Sequence, residues 1–395
     1  PPRITSIRWD HAQHLENAPE HRGAATGVER MRLPVIDLFA GAGGLSVGAT
    51  DAGCDVRASV ELDSTACKSL EKNARYHGVV AQADVSTLSG RELRNLAGLG
   101  ADDPLVIVGG APCQPFSKAA YWVENGEEAR FRRARAEGRD SIKPRTKLEA
   151  RPDERRNLVM EFWRLIEESN PDGFVFENVP SIRHPKNRPV LDAFINSAQK
   201  AGYYVTETLG KAVEHGVAQK RERVFLLGSK RKRPMAPSPT HSLKHDECGE
   251  LKPVLTTGEA LEGLDDARYF EPEEVVTGRW ADHLREVPPG GNYKAHTAWA
   301  GHPNPTFVTE TRFWNFLLKL DPQKPSWTLA ASPGPWTGPF HWNSRRLRTV
   351  EMAALQGFPI DYGFAGSRRD RVKQLGNAVP PPMAKAMISA LMEAI

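Results

Sequence analysis

A short apolar run ending in a glycine-rich turn is the feature that most limits what this 395-residue chain can fold into. Residues 34–39 have the composition of a buried strand, and the glycines of residues 40–44 lead directly into a helical stretch. Strands that alternate with helices of this size predict an α/β fold, in which helices cover both faces of an open sheet. Strands are predicted at residues 34–39, 56–61, 105–108, 173–176 and 223–227, and helices at 45–52, 64–76, 158–169, 350–356 and 382–395.

The sequence changes character after Gly228. Residues 230–233 are a basic run, and residues 241–344 are rich in glycine, proline and tryptophan, without alternating strands and helices. We predict that residues 241–344 form a smaller, irregular domain of strands and loops, with the tryptophans between Trp299 and Trp342 in its core. Residues 1–32 show no sustained periodicity and are interpreted as an N-terminal arm.

Composition limits the classes of function. The mean hydropathy is −0.49 and no run of 18 apolar residues occurs, which rules out a membrane span. The four cysteines are too few and too scattered for a disulfide scaffold, and no apolar leader is visible near residue 1. We therefore expect a monomeric, cytoplasmic protein without a membrane partner. A net charge of +4 is too small to identify a polyanionic partner by itself.

The turn after the first strand resembles a dinucleotide-binding fingerprint, but Ser46 stands where that pattern needs its third glycine. Glu61 ends the second predicted strand, where a carboxylate can accept hydrogen bonds from ribose hydroxyls. A nucleoside without a pyrophosphate fits this combination better, which favours S-adenosylmethionine. A glycine-rich turn that binds no ligand is the alternative from these residues alone.

Cys113 is a candidate nucleophile because of its surroundings. It follows a predicted strand, and ligands of open α/β sheets bind beyond the carboxyl ends of the strands. Pro112 and Pro115 restrict the backbone on both sides, which gives a rigid loop that aims one side chain. A structural cysteine would more naturally lie inside an apolar run.

Two further strands carry candidate site residues. Glu177 ends a predicted strand, where a carboxyl of raised pKa could act as an acid beside the thiol. Arg221 and Arg223 alternate at the start of another strand, so we expect their side chains on one face, in position to bind a phosphate or a base edge. Each feature alone has a plain alternative, a strand end for Glu177 and a solvated edge strand for the arginines.

Taken in order along the chain, five segments resemble the DNA (cytosine-5) methyltransferases, in particular the bacterial and phage enzymes of restriction-modification systems. The resemblance extends over residues 33–228 and 345–395. The segments are residues 37–44, 112–114, 177–179, 219–223 and 376–380.

This resemblance implies a Rossmann-like methyltransferase domain with a mixed sheet, formed by residues 33–240 and completed by a C-terminal helix at 375–395. Residues 241–344 then correspond to the target recognition domain and residues 345–374 to a hinge. The implied substrate is double-stranded DNA of the bacterial nucleoid, with a cognate restriction endonuclease as functional partner.

The resemblance also implies roles for single residues. Cys113 would attack C6 of a flipped-out cytosine, Glu177 would act at N3, and Arg223 would contact O2, with Arg221 close by. The residues implied to line the S-adenosylmethionine site are Phe39, Ala40, Gly41, Gly43, Gly44, Glu61, Leu62, Asp84, Pro112, Leu158, Asn377 and Val379.

Three other functions stay open at this point. They are a tRNA cytosine-5 methyltransferase, a silent DNA-binding regulator and a nicotinamide oxidoreductase. The basic stretch 118–156 allows either phosphate contacts or a solvated insertion. No metal site is expected, because His241, His245 and Cys248 have ligand-like spacing but lack an evident fourth ligand, which favours a polar linker.

Overall fold

The main sheet belongs to a compact unit of residues 33–395. The structure, a computed structural model, describes residues 32–113, 116, 154–243, 249–307 and 314–395. The strands are β1 (Pro34–Leu38), β2 (Asp55–Glu61), β3 (Val79–Gln82), β4 (Val106–Gly110), β5 (Gly173–Asn178), β6 (Tyr204–Lys211), β7 (Gln219–Lys220), β8 (Glu222–Ser229), β9 (His241–Ser242), β10 (Lys252–Pro253) and β11 (Ser326–Trp327). The helices are α1 (Gly44–Asp51), α2 (Ser64–Lys72), α3 (Gly90–Leu96), α4 (Leu158–Ser169), α5 (Arg188–Lys200), α6 (Thr257–Ala260), α7 (Ala281–Glu286), α8 (Thr349–Gln356), α9 (Arg368–Asn377) and α10 (Pro381–Met392).

Seven strands form a mixed sheet in the order β3-β2-β1-β4-β5-β8-β6. Strands β1 to β5 pair in parallel, whereas β8 lies antiparallel between β5 and β6. The order in which strands join the sheet reverses between β1 and β4. Strands β2 and β3 extend to one side of β1, and β4 and β5 extend to the other. In open sheets, a crevice forms beyond the carboxyl ends of the strands at such a reversal. The predicted α/β fold with a mixed sheet is confirmed.

Alternation of side chains along the strands explains why the predicted strands are apolar throughout. Val35 and Val106 face α1 and α10 on one side of the sheet. Ile36 and Ile107 face the opposite layer, formed by α3, α4 and α5. Because successive side chains point to opposite faces, a sheet covered on both faces requires continuous apolar runs.

Among the strands of the main sheet and the helices that cover its two faces, the sequence missed β3, α3, α5 and β6. Strand β3 has only four residues and its side chains are partly exposed, so it gives neither an apolar run nor an alternation. Strand β6 lies at the other edge of the sheet, and six of its eight residues are at least partly exposed. The predicted strands and helices all correspond to observed elements, with ends shifted by a few residues.

The described part of residues 241–344 is irregular, as predicted. It contains strands of two residues each, short helices and 3-10 turns. Its own small core includes Leu284, Tyr293 and Phe340, with Trp336 packed against it. The expectation that the tryptophans between Trp299 and Trp342 lie in this core was wrong for three of them: Trp299 is 78% exposed, Trp314 47% and Trp327 43%.

Glycines let α1 approach the C-terminal helix α10 closely. A Cβ on Gly44 would lie 1.9 Å from the carbonyl oxygen of Val379. One turn later, a Cβ on Gly48 would lie 2.5 Å from Ala384 Cβ and 2.8 Å from the Pro381 carbonyl oxygen. The two helices therefore touch through their backbones, which fixes the last helix against the first strand–helix turn.

We predict that Gly48→Ala destabilises the protein by about 1–3 kcal/mol, because the new methyl group overpacks this contact. The gain in helix propensity of about 1 kcal/mol offsets only part of that cost. The free energy of unfolding, measured with urea, checks the prediction. Gly363→Ala is a matched control, because a Cβ at Gly363 would meet only Lys72 side-chain atoms at 3.7 Å or more. Equal stability of the two variants would contradict the close-contact argument.

Candidate active site

A cavity of about 630 Å³ lies at the carboxyl ends of the central parallel strands. It occupies the point where strand order reverses, as expected for an open α/β sheet. Residues from both ends of the chain form its walls. Of the residues that the sequence assigned to the site, those lining this cavity are Phe39, Ala40, Gly41, Gly44, Glu61, Leu62, Asp84, Pro112, Cys113, Leu158, Glu177, Arg223, Asn377 and Val379.

The Glu61 carboxylate organises the turn between β1 and α1. Its Oε2 accepts a hydrogen bond from the Gly41 N–H at 2.8 Å, and its Oε1 accepts from the N–H groups of Leu62 and Asp63. Phe39 and Gly41 both have left-handed backbone angles, with φ of 56° and 55°. A carboxylate has about four acceptor positions, so Glu61 keeps capacity for a hydroxyl donor from a ligand.

Gly43 has a packing role in place of the cavity-lining role that the sequence suggested. Its φ is 81°, and a Cβ there would lie 2.2 Å from His77 Cε1. Burial lowers the pKa of His77 to about 3, so this imidazole is neutral. The Tyr362 hydroxyl donates to the carbonyl of Ala42 at 2.7 Å and therefore accepts from His77 Nε2 at 2.8 Å. These hydrogen bonds fix the backbone of the turn between β1 and α1 at Ala42.

Ser46, which replaces the third glycine of a dinucleotide fingerprint, binds the buried Asp37. Both the N–H and the hydroxyl of Ser46 donate to Asp37 Oδ2, at 3.1 and 2.6 Å. Burial raises the pKa of Asp37 to about 7, although the bonds from Ser46 oppose that rise. The serine thus satisfies a polar group in the core, and glycine at this position would remove the bond from the hydroxyl.

The other end of the cavity holds Cys113, Glu177 and Arg223 together. Because β8 is antiparallel to β5, its first residues lie beside the last residues of β5, with Val224 opposite Asn178. Arg223 Nε therefore forms an ion pair with Glu177 Oε1 at 2.7 Å, and both side chains are about nine-tenths buried. A Cβ at Gly110 would lie 2.6 Å from Glu177 Oε2, so the glycine leaves room for the carboxylate.

Burial and charge set the protonation of this group. Burial raises the pKa of the Cys113 thiol, the charge of Glu177 raises it further, and Arg223 and Arg221 act in the opposite direction. Burial also raises the pKa of Glu177, again opposed by the two arginines. The thiol is therefore protonated near neutral pH in the free protein, within a site where the two guanidiniums favour its anion.

Arg221 does not line this cavity. It lies between β7 and β8, where the strand is interrupted. The buried guanidinium donates to the carbonyl oxygens of Gly376 at 2.7 Å and Leu329 at 3.4 Å. Its charge reaches Glu177 and Cys113, while its hydrogen bonds tie β8 to the end of α9.

Sequence reasoning missed one residue that positions both loops at this end of the cavity. Asn178 is fully buried, and its Nδ2 donates to the carbonyl of Ala111 at 3.1 Å. Its Oδ1 accepts from the N–H of Val179 at 2.9 Å. One side chain thereby joins the loop after β4, which carries Cys113, to the end of β5, which carries Glu177.

The sequence also missed one face of α9, which it treated only as a hinge. Asp370, Lys373 and Gln374 line the cavity together with the predicted Asn377. Their spacing is that of one helix face, so counting back from Asn377 by three, four and seven positions would have found them. Lys373 forms an ion pair with Asp63 at 2.9 Å across the cavity rim.

Some predictions fall outside the described residues. His245 and Cys248 lie there, and so does most of the basic stretch 118–156. His241 is described in β9, where its Nδ1 lies 2.8 Å from the hydroxyl of Thr240. Within the described residues, the structure has no helix that is long and apolar enough to cross a membrane.

Comparison with known proteins identifies the family of this chain. Residues 33–393 match the C-5 cytosine-specific DNA methylases. The chain belongs to this family. The type II methyltransferase M.SacI of Streptomyces achromogenes is 36% identical over 388 residues, which cover 91% of this chain and 93% of the relative. M.NgoFVII of Neisseria gonorrhoeae, also a type II methyltransferase, is 29% identical and covers 88% of this chain and 83% of its own.

Solved structures agree with the fold of a C-5 cytosine-specific DNA methylase. A chain described as a DNA modification methyltransferase encoded within an Escherichia coli prophage superposes with a TM-score of 0.61 at 25% identity. That match covers 92% of this chain and 99% of the other. Dnmt2 of Schizosaccharomyces pombe has a TM-score of 0.55 at 15% identity, covering 92% and 98%, which supports the fold alone.

The ion pair leads to a pH prediction for the thiol. Glu177→Gln removes a negative charge that raises the pKa of Cys113 and leaves Arg223 free to stabilise the thiolate, so the pKa should fall. The rate of iodoacetamide alkylation at Cys113, followed by peptide mass spectrometry against pH, should therefore rise at lower pH than in the wild type. Glu61→Gln serves as control. An unchanged or higher alkylation midpoint in Glu177→Gln would show that Glu177 carries no charge next to the thiol.

Proposed function

We propose that this methylase transfers a methyl group from S-adenosylmethionine to C5 of a cytosine flipped out of duplex DNA, through a covalent bond between Cys113 and C6. The observation that carries the proposal is one cavity lined both by the Gly-rich turn with Glu61 and by Cys113, Glu177 and Arg223. A ligand at the turn and a base at the thiol would thus lie in the same cavity.

The residues at the turn fit an adenosine-bearing cofactor. Glu61 has free acceptor capacity for ribose hydroxyls, and Asp84 Oδ1 is held by Ser86 while the side chain lines the cavity. Apolar groups of Phe39 and Leu158 offer surfaces for the adenine ring. When bound, S-adenosylmethionine supplies an electrophilic methyl group on a sulfonium, so the protein needs no metal to activate the donor.

The residues at the other end fit addition to cytosine. C5 of cytosine is a poor nucleophile, and attack of the Cys113 thiolate at C6 converts the ring to an enamine that is nucleophilic at C5. Glu177 in its protonated form would donate a hydrogen bond to N3, and Arg223 would contact O2, both of which favour the addition. After methyl transfer, loss of the C5 proton to a base and cleavage of the C6–S bond release 5-methylcytosine and the thiolate.

The position of these groups supports base flipping. Glu177 is 7% exposed and Arg223 is 9% exposed, so both lie inside the cavity wall. A base stacked in a duplex presents neither face of C6 to a thiol in such a cavity. We further infer that residues 241–344 read the DNA sequence and that the enzyme acts in a type II restriction-modification system with a cognate endonuclease. The relatives named as type II methyltransferases support this inference.

Cys113→Ala should abolish methyl transfer but bind duplex DNA with nearly unchanged affinity, because contacts with phosphates dominate affinity. Duplex DNA with 5-fluorocytosine at the target should trap the wild-type enzyme covalently, since fluorine prevents the final elimination. Denaturing gels and transfer of labelled methyl groups measure both effects, and a tRNA substrate provides the comparison for substrate class. Methylation by Cys113→Ala, or no cofactor-dependent adduct with wild type, would refute the covalent mechanism.

Substitutions of Glu61 and of Glu177 should affect different quantities, the first cofactor affinity and the second kcat. Glu61→Ala should weaken S-adenosylmethionine binding by about 1–3 kcal/mol, because it removes a hydrogen-bonding charge from the ribose site. Glu177→Gln should lower kcat by about 10²-fold or more with little change in cofactor affinity, because it acts on the base. Equilibrium dialysis and single-turnover rates provide the two measurements. An equal loss of cofactor affinity in both variants would contradict the assignment of roles.

A further inference from the structure

Three potential metal ligands converge in the irregular segment, far along the chain from the residues used above. The ligand atoms of Glu286, His296 and His302 lie within 4.8 Å of one another. Glu286 Oε2 lies 3.5 Å from His296 Nδ1 and 3.9 Å from His302 Nε2. Ligands at about 2.0–2.1 Å from a tetrahedral zinc ion are about 3.3 Å apart, so small movements would complete a coordination sphere.

His296 provides a second, independent observation. Its side chain is only 1% exposed, and its Nδ1 has no hydrogen-bond partner among the described residues. Its Nε2 lies 2.7 Å from the carbonyl oxygen of His283 and must donate there, because a carbonyl only accepts. In its neutral form the ring therefore carries its lone pair on Nδ1, directed at the Glu286 carboxylate.

This arrangement has the features of a metal-binding histidine. Such histidines commonly donate their second ring N–H to a backbone carbonyl or a carboxylate, which fixes the tautomer and the ring orientation. A buried imidazole nitrogen that lacks any partner is otherwise costly, because it has lost water without replacing it. The distance of 3.5 Å to Glu286 is too long for an ordinary hydrogen bond to make up that loss.

We propose that Glu286, His296 and His302 bind one Zn²⁺ ion, with the fourth position open to solvent. Two imidazoles and one carboxylate form a donor set that zinc uses with an open position. This proposal replaces the expectation of no metal site. The sequence carries little signal for it, because a long interval separates Glu286 from His296 and no cysteine is involved.

His302 is the ligand that must adjust. Its Nδ1 accepts a hydrogen bond of 3.2 Å from the Asn304 N–H, and ligation through Nε2 would place the ring proton on Nδ1 and break that bond. The side chain is 25% exposed, so the ring has room to turn. Once bound, zinc would close the loop between His296 and His302, which carries the exposed Trp299, against the end of α7.

The test uses the full chain without a polyhistidine tag, stripped with a chelator and titrated with Zn²⁺ in competition with a chromophoric chelator. We expect one Zn²⁺ bound per chain and a higher thermal midpoint in its presence, since a ligand specific for the native state stabilises it. Glu286→Gln and His302→Ala should each weaken zinc binding by about tenfold or more and remove the thermal shift. Both side chains are partly exposed, so these variants should fold.

Glu262→Gln is the matched control, an exposed carboxylate in the same segment but outside the cluster, and it should bind like the wild type. Cobalt substitution gives a second readout, because tetrahedral Co²⁺ absorbs visible light and the bands should be lost in Glu286→Gln. Failure of the wild type to bind Zn²⁺ at micromolar concentration would overturn the proposal. So would equal affinity in the wild type, both ligand variants and the control, since any metal would then bind elsewhere.

Discussion

The ion pair between Arg223 and Glu177 depends on a reversal of strand direction in the sheet. Only an antiparallel β8 brings its first residues to the carboxyl end of β5, where the parallel strands already place their terminal side chains. Removing two charges from water costs free energy that their attraction often fails to recover. A buried pair of this kind is therefore better explained by the chemistry that we propose at Cys113 than by stability, and Gly110 and Asn178 are arranged around it.

Much of the fold and part of the site could be predicted, because both depend on local patterns. Strands buried on two faces are apolar throughout, and this made β1, β4 and β5 visible in the sequence. Cys113 and Glu177 follow such strands, so the topology of any parallel sheet brings them to one edge. The edge strands β3 and β6 lack this pattern, because each is covered less completely.

The rest depends on partners that are distant in the chain. The need for glycine at position 43 comes from His77 and Tyr362, and the second of these lies close to the opposite end of the chain. Arg221 was expected beside Arg223 on one strand face, yet its guanidinium donates to the carbonyls of Leu329 and Gly376. The number of tryptophans in the sequence likewise does not distinguish Trp336, which packs against the core, from Trp299, which is exposed. In each case the deciding contact joins residues that are distant in the chain, so no local sequence pattern predicts it.

The contact between Gly44 and Val379 has a consequence for biosynthesis. The turn that begins the cavity is translated well before Asn377 and Val379, which form the opposite wall. Until α10 has been made, only α1 among the described helices covers this apolar face of the sheet, and the part beneath α10 has no layer over it. A nascent chain consequently exposes an apolar surface during most of its synthesis, which favours binding by chaperones at that stage. The wall of the cavity is complete only after Asn377 and Val379 have left the ribosome.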